Sequence, residues 1–225
     1  MKRKLRVSMI ELSLRTSKPL STDNVPGLRG YIAFHFGEDI LLHNHVGREL
    51  FYSYPRVQYK VTNGITKIIG ISEGVKSVKN ISFPQELQLR DERISVRQVE
   101  TVQRGVVLGM DIKGGIYTFL SPWLALNEKN YDKYLRLGSQ AKKKKLLEKI
   151  LVGNILSMSK GLGYTVPAPV EAKIINIKEV QTSLKSNPML GFLGTFSVNF
   201  EIPDYWGIGK SVSRGFGTVK RIDKQ

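Results

Sequence analysis

Cysteine is absent from the 225 residues. That excludes disulfides and thiolate zinc sites and allows a reducing cytoplasm, the setting expected here. No apolar run approaches the length of a membrane-spanning helix, and no apolar segment of the secretory kind follows Met1-Lys2-Arg3-Lys4. Histidine is scarce: His35, His43 and His45 are all there is. Acid is scarce too, with 19 Asp and Glu against 35 Lys and Arg, for a formal net charge of +16. Such an excess points to a polyanion, nucleic acid first. An anionic membrane surface would ask instead for a basic amphipathic helix with an exposed apolar face, and no membrane partner is expected. The hydrophobic share, 41%, is ordinary, so the chain can bury a core as one large domain or two small ones.

What is present reads as alternating strands and helices. Leu5, Val7 and Met9 alternate, then Ile10, Leu12 and Leu14 continue on the shifted phase, which predicts a strand with a bulge near Met9–Ile10. Asn24 as N-cap, Pro26 in the first turn and Gly37 at the end frame a helix over 25–36. Residues 38–53 form a connection. Two strands follow around Asn63-Gly64, the favoured dipeptide of a two-residue type I′ turn. In the first of them Lys60 falls on the polar side, to face RNA or water. A short helix over 72–80 and further β structure over 87–110 complete a β-α-β-β-α-β order, the ferredoxin-like arrangement.

A second unit is expected to begin near Lys113-Gly114-Gly115, so the chain divides into 1–112 and 113–225. Residues 116–120 read as a strand and 128–161 as a helical region broken near Gly138-Ser139. Strands follow over 172–180 and 192–200, with a last strand over 218–222. The expected fold class is therefore α+β, two tandem ferredoxin-like units, the second without a clear second helix.

The chemistry concentrates in two stretches. Gly207-Ile208-Gly209-Lys210-Ser211-Val212-Ser213-Arg214-Gly215-Phe216-Gly217 sets two Gly-x-Gly pairs around a basic, hydroxyl-rich centre. Bare backbone amides, hydroxyls and cations suit phosphate oxygens. A nucleotide P-loop fails on spacing, since its first glycine would fall at Asp204, and a dinucleotide fingerprint fails because its third would be Val212. A ligand-free turn and a loop gripping a polynucleotide backbone remain. Lys142 to Lys145 form a second cationic cluster, able to touch phosphate or to face solvent.

The other stretch is His43-Asn44-His45, with Tyr52 and Tyr54 after it and His35 before it. A metal site would need more ligands; Glu38, Asp39 and Glu49 are nearby in sequence, but there is no second histidine cluster, so no metal is expected. Imidazole titrates near pH ~6.5, so one ring can accept a proton while another donates one. RNA suits that chemistry, because its 2′-hydroxyl can attack the adjacent phosphate. Solvent-facing loop histidines are the plain alternative for His43 and His45, and packing is the plain alternative for His35 and Tyr54.

The glycine loop in its C-terminal place, the tandem ferredoxin-like order, the histidines after the first helix, and Tyr54-Pro55-Arg56-Val57-Gln58-Tyr59-Lys60 together resemble the CRISPR repeat-processing endoribonucleases of the RAMP superfamily. The resemblance implies cleavage of precursor CRISPR RNA with neither metal nor cofactor. The 2′-hydroxyl would attack in line, leaving a 2′,3′-cyclic phosphate and a 5′-hydroxyl. It also implies that His45 is the main acid–base residue, that His43 assists or substitutes, and that Tyr52 orients the phosphate. Gly207, Gly209, Lys210, Ser211, Arg214, Gly215 and Gly217 become RNA-binding residues, to which the basic cluster adds Lys142 and Lys143. The implied partners are CRISPR repeat RNA, a CRISPR effector complex and a second copy of the chain. Two alternatives stay open: a catalytically silent relative that holds CRISPR RNA, and a general RNA- or DNA-binding protein.

Overall fold

The computed structural model describes residues 4–21, 24–43, 45–46, 49–50, 54–89 and 92–223, side chains excepted at 43, 45–46 and 49–50. The chain forms two compact units. The N-terminal unit holds Arg6–Val106 and a short insert, Val212–Gly215. The C-terminal unit holds Met1–Leu5, Val107–Ser211 and Phe216–Gln225.

The N-terminal unit begins with β1 (Lys4–Thr16), α1 (Val25–His35), α2 (Ile40–His43) and the two-residue strands β2 (His45–Val46) and β3 (Glu49–Leu50). Then come β4 (Val57–Thr62), β5 (Ile65–Ile71), α3 (Gly74–Lys79), β6 (Glu86–Leu89) and the start of β7 (Glu92–Phe119). The main strands lie in the order β4-β5-β1-β7, the ferredoxin-like arrangement, with α1 and α3 as the two connecting helices. The connection after α1 is more structured than the sequence suggested, since it carries α2 and the β2–β3 pair.

Asn63 and Gly64 sit at φ +51 and +72, the left-handed pair that a type I′ turn requires. Against β5 the expected bulge in β1 is absent. Its register with β5 runs unbroken from Met9 opposite Ile71 to Leu14 opposite Thr66. The two apolar phases are the two faces of one strand, and both are covered: Val7 and Met9 are buried on one, Ile10, Leu12 and Leu14 on the other. The latter three pack with Leu28 and Ile32 of α1, Tyr59 of β4, Ile68 of β5 and Val78 of α3. Asn24 does not cap α1 through its side chain; its Oδ1 accepts instead from the Ser21 amide at 2.8 Å.

The C-terminal unit continues β7 and adds α4 (Glu128–Arg136), α5 (Gln140–Gly161), β8 (Ala172–Leu184), β9 (Asn187–Glu201) and β10 (Val219–Arg221). β10 and β9 flank β7, and β8 lies outside β9, all antiparallel. This is the same strand order again, and between β9 and β10 the chain makes a 3₁₀ turn (Val212–Arg214) in place of a second helix, a turn that belongs to the N-terminal unit. Gly114 and Gly115 lie inside β7, where Gly114 at φ +68 accompanies a register shift against β9. Ser139 separates α4 from α5, its hydroxyl accepting from the Lys142 amide at 3.2 Å as an N-cap. Leu147, Leu151, Ile155 and Met158 form the buried stripe of α5. The core beneath is aromatic: Phe119 stacks on Trp123 at 5.2 Å, and Phe196 lies 5.6 Å from Tyr117.

Candidate nucleic-acid site

The glycine loop packs tightly on its own surroundings. In the C-terminal unit, the Ile208 amide donates to the Gly217 carbonyl at 2.9 Å, and the Gly217 amide donates to the Pro122 carbonyl at 2.9 Å. Gly209 has φ +95, and a Cβ there would stand 2.7 Å from Trp123 Nε1. Gly217 has φ +60, and a Cβ there would collide with the Ile208 carbonyl oxygen. These glycines let the loop sit directly on Trp123 and on itself. Lys210 is left exposed beside a half-buried Ser211, which holds a left-handed φ of +59.

Within the N-terminal unit, the insert Val212–Gly215 lies against two consecutive residues of β4. Lys60 Nζ donates to the Val212 carbonyl at 3.0 Å. A Cβ on Gly215 would stand 3.1 Å from the Tyr59 carbonyl oxygen. Ser213 and Arg214 are half-buried. Lys60 is therefore not on a polar, open face. It is fully buried, because β4 is covered on both sides, and burial pulls its ammonium pKa down to about 7.

Tyr59 reaches the other way. Its hydroxyl donates to the Leu42 carbonyl at 2.9 Å, tying α2 to β4. The Arg29 guanidinium of α1 lies 5.6 Å from the Tyr59 ring centroid, a cation–π distance. Burial lowers the Arg29 pKa, and the positive charge of Arg214 lowers it further. Burial raises the Tyr59 pKa, against the pull of Arg29. Adjacent β4 residues thus hold the end of α2 on one side and the loop insert on the other. Arg29 escaped the sequence reading, and so did the anchoring contact of Tyr59. The Val57-Gln58-Tyr59-Lys60 run looked like a half-exposed alternating strand, and nothing in its letters marks both faces as covered.

His43 closes α2, and His45 opens β2, where it pairs with Leu50. The structure thereby places both backbones next to the α2 segment that Tyr59 anchors; Tyr52 lies outside the described residues. His35 is described in full: its Nδ1 is 2.9 Å from the Tyr31 carbonyl oxygen, and its ring is 4.1 Å from the Tyr31 ring. It lines a cleft of about 540 Å³ with Phe34, Asp39, Leu42 and Asn80. Tyr54 is buried, as a packing residue would be.

Two family models match in tandem: the Cas6b N-terminal domain over residues 5–105 and the Cas6b C-terminal domain over 111–222. The chain belongs to the Cas6b family. A crystal structure of Cas6b is 36% identical, superposes with a TM-score of 0.88, and matches over 97% of this chain and 100% of its own. A second, the CRISPR RNA processing endoribonuclease Cas6b, is 35% identical over the same shares at a TM-score of 0.77. An uncharacterized protein of Methanocaldococcus jannaschii is 54% identical over 108 residues, which is 48% of this chain and 73% of that one. The α+β fold of two ferredoxin-like units is thus that of an endoribonuclease family.

On this Cas6b frame the cationic cluster of α5 stands apart from the glycine loop. α5 meets the loop through Asn154, whose Oδ1 accepts from Trp123 Nε1 at 3.0 Å beneath Gly209. Lys142 and Lys143 precede Asn154 by about three turns, roughly 17 Å along the axis. Lys142 is exposed. Lys143 is engaged inside its unit: its Nζ lies 4.6 Å from the Tyr134 ring centroid and 3.9 Å from Glu179 Oε1. Among the described residues no helix is long and apolar enough to cross a membrane.

Proposed function

We propose that this Cas6b chain cuts precursor CRISPR RNA inside its repeats by metal-independent transesterification. The neutral imidazole of one histidine takes the proton of a 2′-hydroxyl. The oxygen attacks the adjacent phosphorus in line and forms the 2′,3′-cyclic phosphate. The 5′-oxygen leaves and takes a proton from the second, protonated imidazole. His45 is the main acid–base residue, His43 its assistant, and Tyr52 the group that orients the scissile phosphate. Lys210, Ser211 and Arg214 supply cations and hydroxyls to the RNA backbone, with Gly207, Gly209, Gly215 and Gly217 shaping the loop that carries them. Lys142 and Lys143 extend the basic track.

One observation carries the reading. Tyr59 and Lys60, neighbours on β4, hold the α2 segment that ends at His43 and the loop insert that carries Arg214. The segment that leads to the proposed acid–base residues and the turn that carries the proposed phosphate ligand Arg214 are both tied to β4, which supports a reading in which they act together. Membership in a family with a CRISPR RNA processing endoribonuclease supports the substrate.

The test is cleavage of a labelled CRISPR repeat RNA by wild type, His43→Ala and His45→Ala, with the product ends identified. Loss of one acid–base partner lowers the rate by about 10²–10⁴. The expected result is such a loss for His45→Ala, a smaller one for His43→Ala, and cyclic-phosphate ends from wild type. Tight repeat binding with no cutting would make the chain a CRISPR RNA-binding subunit instead.

A further inference from the structure

A row of rings runs through the end of α1. Phe83 stacks on Tyr31 at 6.5 Å, Tyr31 meets His35 at 4.1 Å, and His35 meets Phe34 edge-on at 5.1 Å. The row ends in Phe34, which is 85% exposed. A large apolar ring that touches its neighbour His35 only by an edge contact and is otherwise offered to water can serve as a stacking platform. It stands at the rim of the cleft of about 540 Å³.

The other walls give that cleft its chemistry. Glu38, Asp39 and Asn80 line it, and none of its described lining residues is lysine or arginine, the nearest in sequence being the exposed Lys76 and Lys79 of α3. Asp39 is held in place by accepting from the Leu41 amide at 3.0 Å. In a chain of charge +16 this is an acidic hollow. Its lining carboxylates offer no donor to a phosphate, whereas the N–H edge of a base would find acceptors. Leu42 also lines the cleft, and the next residue is His43.

We infer that this cleft receives one unstacked nucleobase of the RNA, stacked on Phe34 with its N–H edge toward Asp39 and Asn80. The inference rests on the endoribonuclease reading and names a specificity subsite for it. Guanine, adenine and cytosine bring an exocyclic amino group to such an edge. Guanine adds a neighbouring ring N–H, so one carboxylate can accept two bonds. Uracil offers a single ring N–H and fits least well.

The experiment uses repeat RNA made uncleavable by a 2′-deoxy sugar at the cut, in versions each lacking one base. Wild type, Phe34→Ala and Phe34→Trp are compared for binding, with urea midpoints as a folding control. Phe34 is exposed, so all three fold alike. Loss of one base–aromatic stack weakens binding by about 5- to 150-fold. The expected result is a loss in that range for Phe34→Ala on the full RNA and near-wild-type binding for Phe34→Trp. At one abasic position the gap between wild type and Phe34→Ala closes, and uracil placed there weakens wild-type binding. Equal binding of Phe34→Ala and wild type, or a penalty that persists at every abasic position, overturns the subsite. If wild type still cuts repeat RNA, the endoribonuclease reading survives that failure. If wild type neither binds nor cuts it, both readings fall.

Discussion

The two units bury different things. The C-terminal unit buries Trp123, Trp206, Phe192, Phe196 and Phe200 completely, and its glycines let backbone settle onto those rings. The N-terminal unit has an aliphatic core, yet it also buries Lys60 and nearly all of Arg29. Aromatic burial is favourable by itself. Cation burial is costly unless the charge is neutralised or hydrogen-bonded. A unit that buries Lys60 beneath the loop insert gives up stability to fix the position of something else, here the Val212 carbonyl and the turn that presents Arg214. The C-terminal unit holds the loop's Gly207, Gly209 and Gly217 with Lys210, and the N-terminal unit holds the insert that carries Arg214.

Four substitutions sharpen that contrast. The largest effect is expected from Trp123→Ala, which opens a cavity under Gly209 and removes the donor to Asn154. It should cost about 3–5 kcal/mol in urea unfolding. A loss below about 1 kcal/mol would mean the aromatic core is not the scaffold.

Lys60 comes next, through pH. Its folded pKa of about 7 lies below the ordinary 10.5, so between those values the unfolded chain holds the proton that the folded chain has released. Stability should therefore rise as pH climbs through that window, by a few kcal/mol at most. Below about pH 7 both states are protonated and the penalty of the buried charge is complete. Lys60→Met should flatten the rise while other titrations cancel in the difference. Parallel curves for the two proteins would place the lysine's charge in water.

Ser139→Ala removes the N-cap of α5 and should cost about 1 kcal/mol, a scaffold effect that leaves RNA binding alone. The smallest change in stability is expected from Lys142→Gln, within about 0.5 kcal/mol. If Lys142 touches RNA, that variant lowers the salt slope of binding by about one unit. An unchanged slope would make Lys142 a solvent-facing lysine.

The parts that local chemistry decides were legible in the letters. Asn63-Gly64 names its turn, Gly138-Ser139 marks a helix break, and the stripe from Leu147 to Met158 names a buried face. The parts that neighbours decide were not. Lys60 reads as an outward lysine until the loop insert, some 150 residues later in the chain, covers it. The phase change in β1 reads as a bulge until both faces are seen to be packed. The β8–β9 hairpin turns at Lys185-Ser186, with φ of +52 and +66, where no glycine advertises it. The glycine loop was legible as a tight loop, but the need for Gly209 lies in Trp123, more than eighty residues earlier. For the candidate site, the residue types and their place after α1 were visible, whereas the roles of Tyr59 and Arg29 depend on contacts across the sheet.

The central claim is that the RNA's own 2′-hydroxyl is the nucleophile and histidine its base. The most direct measurement is cutting of a repeat RNA in EDTA, with either ribose or 2′-deoxyribose at the cut. The account predicts cleavage of the ribose substrate in EDTA, none of the deoxy substrate, and unchanged binding of both. Cutting of the deoxy substrate, or cutting that stops in EDTA and returns with a divalent ion, would contradict it.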